Sequence, residues 1–128
     1  MIQEKLVISD TNILLDLISV DMLEDFFSLP CDFSTTDFVI SEIIQPAQIE
    51  AIEKYTKSKK LDIVSFSFEE IIEITDIHSK NTNNASMTDC SVWYYARKTG
   101  GRLLTGDGKL RKSAEGDNVK VFRDSVYF

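Results

Sequence analysis

Lys5–Val20 reads KLVISDTNILLDLISV, and its pattern changes in the middle. Leu6, Val7 and Ile8 form an apolar run, so Lys5–Ser9 reads as a short strand buried on both faces. Asp10-Thr11-Asn12 interrupts it, and Ile13–Val20 continues as an apolar helix. A buried strand, an acidic turn and a helix in immediate succession are what a β-α unit requires. The same order returns near the other end: strand Arg102–Thr105, turn Gly106-Asp107-Gly108, short helix Lys109–Ala114.

The intervening chain keeps the alternation. Asp32–Thr35 reads as a second strand, followed by a helix starting near Asp37. Pro46 suits the first turn of a helix through Lys57, where its missing donor would be unpaired in any residue. Leu61–Ser67 alternates as a strand does, and Phe68–Ser79 has helical spacing. Lys80–Ala85 is polar and asparagine-rich, a loop. Ser86 opens a helix to about Thr99 that Gly100-Gly101 ends, and Val119–Phe122 is the last strand. The expectation is a three-layer α/β/α sandwich around a mostly parallel five-stranded sheet, with residues 1–128 as one domain.

Bulk properties narrow the class. A hydrophobic content of 43% supports a real core and argues against disorder. No apolar run approaches the roughly 20 residues that cross a bilayer. Met1–Lys5 lacks the basic start of a signal peptide, and Cys31 and Cys90 form neither a disulfide framework nor a zinc spacing. A reducing cytoplasm is the expected compartment. The net charge of −7 argues against a polyanionic partner until its distribution is read. Residues 1–96 carry 6 basic and 17 acidic side chains, whereas residues 97–128 carry 8 basic and 4 acidic ones. The last third is therefore locally basic, although solvated surface charge is the expected reading of most of these residues.

Open parallel sheets bind ligands beyond the carboxyl ends of their strands, where the strand order reverses. Asp10 follows the first strand, and Asp107 lies two residues beyond the strand ending at Thr105. Asp89 sits in the first turn of the helix leading into that strand, and Glu42 early in the helix after the second. If the first and fourth strands are neighbours, these carboxylates share one crevice. Crowded carboxylates repel, so they take up protons or bind a cation, and an all-oxygen set suits Mg²⁺ or Mn²⁺. Each acid also has a purely structural use. Asp10 fits an N-cap, Ser86-Met87-Thr88-Asp89 a capping box, Asp107 a turn and cap, and Glu42 a solvated helix position. The case rests on all four falling on one side of one sheet.

Other reactive residue types read as structural. His78 belongs to the surface, Cys90 packs as a small hydrophobe, and Trp93, Tyr94 and Tyr95 fall mid-helix where core packing is expected. Arg97, Lys98 and Arg102 read either as a solvated rim or as phosphate contacts. Lys109, Arg111 and Lys112 follow directly after Asp107 and are the better candidates for holding phosphates.

Four blocks carry a resemblance. Val7-Ile8-Ser9-Asp10-Thr11-Asn12-Ile13-Leu14-Leu15 resembles the opening of PIN domains, and Ser41-Glu42-Ile43 their second acidic position. Met87-Thr88-Asp89, with Ala96 seven residues later, is similar to the third, and Leu103–Arg111 to the fourth, Thr-x-Asp block. The resemblance spans about residues 5–122. It implies a metal-dependent ribonuclease, often the toxin of a toxin–antitoxin pair and commonly a homodimer. In that reading Asp10, Asp89 and Asp107 ligate Mg²⁺ or Mn²⁺ and Glu42 supports that ion or a second one. Asn12 and Thr105 orient carboxylates or water, and Lys109, Arg111 and Lys112 contact RNA. One departure is that Gly108 and Lys109 stand where many relatives carry another carboxylate. A haloacid-dehalogenase phosphatase would need Asp at the position of Asn12, and a receiver domain an Asp after the third strand, where Ser65-Phe66-Ser67-Phe68 stands. The rival from another class is a non-catalytic PIN-fold module binding RNA or a protein, with the acids serving as caps.

Overall fold

Strand β1 (Glu4–Ile8) is buried on both faces, and it lies in the middle of the sheet. The computed structural model describes residues 4–81 and 84–122. Parallel partners flank β1: β2 (Cys31–Thr36) with Leu6 opposite Phe33, and β4 (Arg102–Leu104) with Val7 opposite Leu103. β3 (Leu61–Val64) extends the sheet beyond β2 and β5 (Lys120–Phe122) beyond β4. The order is β3-β2-β1-β4-β5, and every pairing is parallel. The chain thus builds outward from β1 in one direction, then restarts at β4 on its other side. The strand order reverses between β1 and β4, the neighbours on which the sequence argument was conditional.

Alternation along each strand divides the core in two. Leu6 and Ile8, with Phe33, Leu61 and Leu104, pack against α1 (Thr11–Ser19), α2 (Leu23–Phe27) and α4 (Pro46–Lys57). Val7 and Leu103 face α3 (Asp37–Ile40), α5 (Phe68–Lys80), α6 (Met87–Thr99) and α7 (Gly108–Gly116). That is the expected three-layer sandwich, with helices on both faces as a parallel sheet requires. An aromatic cluster anchors the first face: the Phe33 ring lies 4.8 Å from Phe26 and 5.2 Å from Phe27, centroid to centroid. Among the described residues no helix is long and apolar enough to cross a membrane.

Helix ends follow local chemistry. Ser67 and Ser86 each form a capping box, with Glu70 and Asp89 respectively. Gly100 ends α6 in the left-handed region at φ 72°. A Cβ on the next residue, Gly101, would stand 3.2 Å from Val7 Cγ2, so the return into β4 passes tightly against β1.

Several boundaries differ from the sequence reading. β3 stops at Val64, where its pairing with β2 runs out opposite Thr36, so Ser65–Ser67 is connection rather than strand. α2 is unanticipated: it has five residues and no side-chain cap, too short for periodicity to reveal. α3 ends at Ile40, so Glu42 lies in a turn beyond it and not early in a helix. Gln45 is extended ahead of Pro46, which disfavours the helical region for the residue before it. α5 runs on through Lys80, and residues 82 and 83 of the expected loop lie outside the described residues.

Phe33→Ala should cost about 3–5 kcal/mol of stability, the range for truncating a buried Phe. Phe68→Ala, at a side chain 76% exposed, should stay within about 0.5 kcal/mol. Urea unfolding of both variants checks the assignment of the core.

Candidate metal centre

The β1–β4 ladder continues one residue past β1, where Ser9 N–H donates to Leu104 O at 3.1 Å. The two chains therefore leave the sheet side by side, and each turns at an aspartate. Asp10 caps α1 by accepting from Asn12 N–H through Oδ1 at 3.0 Å. Asp107 caps α7 by accepting from Lys109 N–H through Oδ1 at 2.9 Å. Thr105 is buried and shapes the second turn, its Oγ1 accepting from Asp107 N–H at 3.0 Å. Asn12 supports Asp10 through its backbone, and its side chain is exposed.

Asp89 comes from α6, in the same helical layer as α7. It is half-buried in the first turn of α6 and accepts from Ser86 N–H through Oδ2 at 3.3 Å. Burial pushes its carboxyl above the usual range, opposed by the Ser86 N–H, and the charges of Asp107 and Asp10 push the same way as burial. Asp107 and Asp10 therefore stand close enough to Asp89 for their charges to act on it. Glu42 joins them from the turn after α3, where its Oε2 accepts from the Thr88 hydroxyl at 3.0 Å. That bond attaches Glu42 to the residue before Asp89.

The four acids share one pattern. Each uses one carboxylate oxygen for a hydrogen bond: Oδ1 of Asp10, Oδ2 of Asp89, Oδ1 of Asp107 and Oε2 of Glu42. Among the described residues the second oxygens of Asp10, Asp107 and Glu42 have no protein donor, whereas Asp89 also interacts with the Ser86 hydroxyl. Capping and ligation are thus compatible in one carboxylate. The donor set is four hard oxygens with one partly desolvated member, and it fits a hard divalent cation by chemistry. Among the described residues no three acidic, histidine or cysteine side chains stand together as a finished ligand shell. Gathering these oxygens onto one ion requires side-chain rotation about the capped positions. Among the described residues Ser9 Oγ, next to Asp10 in the chain, is buried without a hydrogen-bond partner.

The cations fall into two groups. Arg97 pairs with Asp117 at 3.0 Å, Lys98 with Glu70 at 2.5 Å and Arg102 with Glu4 at 2.5 Å. Lys109, Arg111 and Lys112 make no ion pair with any described residue, and all three lie on α7 just after Asp107. Lys109 and Lys112 are exposed and Arg111 half-buried. The residues read as structural remain so. His78 is exposed, Trp93 and Tyr94 are buried, and the Cys90 thiol is fully buried and pushed up to about 11 by burial and then by Asp89. Trp93 donates to Asp117 Oδ2 at 2.9 Å. A cavity of about 390 Å³ beside it is lined by none of the four acids. Thr88 is the participant that the sequence did not single out: nothing local marks a contact spanning 46 residues.

Asp89→Asn should raise the melting temperature in EDTA, because the amide keeps an acceptor for Ser86 and removes a disfavoured charge. A carboxyl whose pKa is raised by folding costs stability above that pKa, and the cost vanishes below its unfolded value. The advantage of the variant should therefore shrink as the pH falls through the raised folded value, and be gone below about 4, where the wild-type carboxyl is neutral in both states. Scanning calorimetry across pH checks both the sign and the window.

No family model and no curated protein matches the chain. Solved structures do. PAE2754 from Pyrobaculum aerophilum superposes with a TM-score of 0.60 at 16% identity, covering 91% of this chain and 90% of that one. FitAcB from Neisseria gonorrhoeae superposes with a TM-score of 0.55 at 11% identity, covering 92% of this chain and 96% of that one. Likeness at such low identity concerns the fold alone, and the all-parallel five-stranded sheet between two helical layers is consistent with a PIN-like sandwich.

Proposed function

We propose that the protein is a ribonuclease dependent on Mg²⁺ or Mn²⁺, acting in the crevice between the ends of β1 and β4. The observation that carries this reading is the effect of the Asp10 and Asp107 charges on the half-buried Asp89, with Asp10 and Asp107 each using one carboxylate oxygen for its helix cap. In this reading those three hold the ion, and Glu42 supports it or a second ion. When bound, the metal lowers the pKa of water, orients the phosphate and offsets charge on the leaving oxygen.

The chain's own residues supply the rest. The capping bonds fix one oxygen of each carboxylate and limit the freedom of the other, so less order must be imposed when the ion arrives. Thr105 sets the turn that carries Asp107. Lys109, Arg111 and Lys112 form a cationic rim on α7 that contacts the RNA backbone and offsets the repulsion of the acids for phosphate. Family resemblance and small size extend the reading to a cytoplasmic toxin, a single-domain protein acting as a homodimer. An antitoxin would cover the acidic crevice, inserting Arg or Lys among the carboxylates.

The test is a paired cleavage assay on mixed tRNA and mRNA with Mn²⁺, Mg²⁺ or EDTA. Wild-type protein should cut only with metal, and Asp10→Asn should lose most of the activity while folding normally, since Asn caps a helix as well as Asp does. Millimolar Mn²⁺ should also raise the wild-type melting temperature by linkage and leave that of Asp10→Asn nearly unchanged. Cleavage that survives EDTA would sink the mechanism. Absence of both cleavage and metal-linked stabilisation would favour the non-catalytic module, with the acids as caps alone.

A further inference from the structure

Glu42 is the one acid of the four whose position does not come from a helix cap. α3 spans only Asp37–Ile40, and Glu42 follows it in a turn held by Glu42 N–H donating to Val39 O at 3.2 Å. Val39 is buried in the core on one face of the sheet, and Ile43 in the core on the other. The chain therefore crosses from one layer to the other at Glu42, over the carboxyl end of the strands. Its side chain is long and exposed, and Thr88 is its hydrogen-bond partner among the described residues.

Thr88 is itself firmly placed. Ser91 Oγ donates to Thr88 O at 2.7 Å and lies 2.8 Å from Thr36 Oγ1, so the Thr36 hydroxyl is the donor in that pair. Thr36 Oγ1 in turn accepts from Val39 N–H at 3.4 Å. These bonds join the end of β2, the start of α3 and the first turn of α6 beneath the Glu42 turn. Thr88 is also β-branched, so few rotamers are open to its hydroxyl.

We infer that Thr88 is a positioning residue for the metal centre, holding Glu42 beside Asp89 by its Oε2 and leaving Oε1 for the ion. The inference rests on the metal-dependent reading of the site. Holding a carboxylate by one oxygen lowers the ordering required on binding, and losing such outer contacts typically weakens metal affinity about 10–100-fold.

Mn²⁺ titration calorimetry on the full chain tests it, with melting temperatures measured in EDTA. Thr88→Val should weaken Mn²⁺ binding about tenfold, Glu42→Gln by a similar factor, and the double variant no further than the weaker of the two. Thr88→Ser should restore binding, and melting in EDTA should barely change in any variant. Thr88→Ala gives the same reading if valine crowds Ser91. Wild-type affinity in both Thr88→Val and Thr88→Ala, alongside a weakened Glu42→Gln, would overturn the positioning role and leave the metal centre standing. So would additive losses in the double variant, because Thr88 would then act through another group. A wild-type protein that binds no Mn²⁺ would overturn the metal centre itself, and the role of Thr88 with it.

Discussion

β1 has no solvent face: Leu6 and Ile8 belong to one core, Val7 to the other, and β2 and β4 occupy both its edges. A strand enclosed in this way can end only by leaving the sheet at its carboxyl edge, where water and polar groups become available. Ser9 and Asp10 stand at that exit, and Thr105, Gly106 and Asp107 stand at the corresponding exit of β4. Because β1 and β4 are hydrogen-bonded neighbours while their helices lie on opposite faces, the two chains diverge immediately beyond the edge. A crevice there follows from the topology, as it does in open parallel sheets generally.

In the proposed metal centre one carboxylate would serve folding and chemistry together. A carboxylate has two oxygens, and a helix cap needs one. Capping gains are about 1 kcal/mol each, enough to hold the side chain near its backbone and too little to fix both oxygens. The crowding has a cost. Asp89 is held above its ordinary proton affinity by burial and by its two neighbours, so charge there is tolerated rather than favoured in the absence of a counter-ion. Carboxyls perturbed in this way occur at functional sites and in structural charge networks alike.

The parts of the fold and site that could be read from the chain are those whose causes are local. The acidic turns after β1 and β4 are visible because a change from strand to helix grammar takes only a few residues, and the Ser86–Asp89 box is complete within four. Gly100 marks the end of α6 for the same reason. The rest depends on contacts made only in three dimensions. α2 has five residues and no capping side chain, so its existence depends on Phe26 and Phe27 packing against Phe33. Glu42 leaves the helix because α3 is cut short and the chain must cross between layers. The partnership of Thr88 with Glu42 joins residues that share no pattern. The adjacency of β1 and β4 could be posed as a condition from the sequence, and the pairing register then met it.

The ion pairs of Arg97, Lys98 and Arg102 have a consequence for approach from solution. They cancel much of the positive charge carried by α6 and β4, and leave α7 as a short cationic lane on a molecule of net charge −7. A polyanion in bulk water meets a repulsive far field and an attractive near one. Ions thin the far field first, because at physiological salt the screening length is about 8 Å. Moderate salt should therefore quicken the first encounter with a polyanion before it weakens the contact made afterwards. That is the reverse of what a uniformly basic surface does, where every added ion slows arrival.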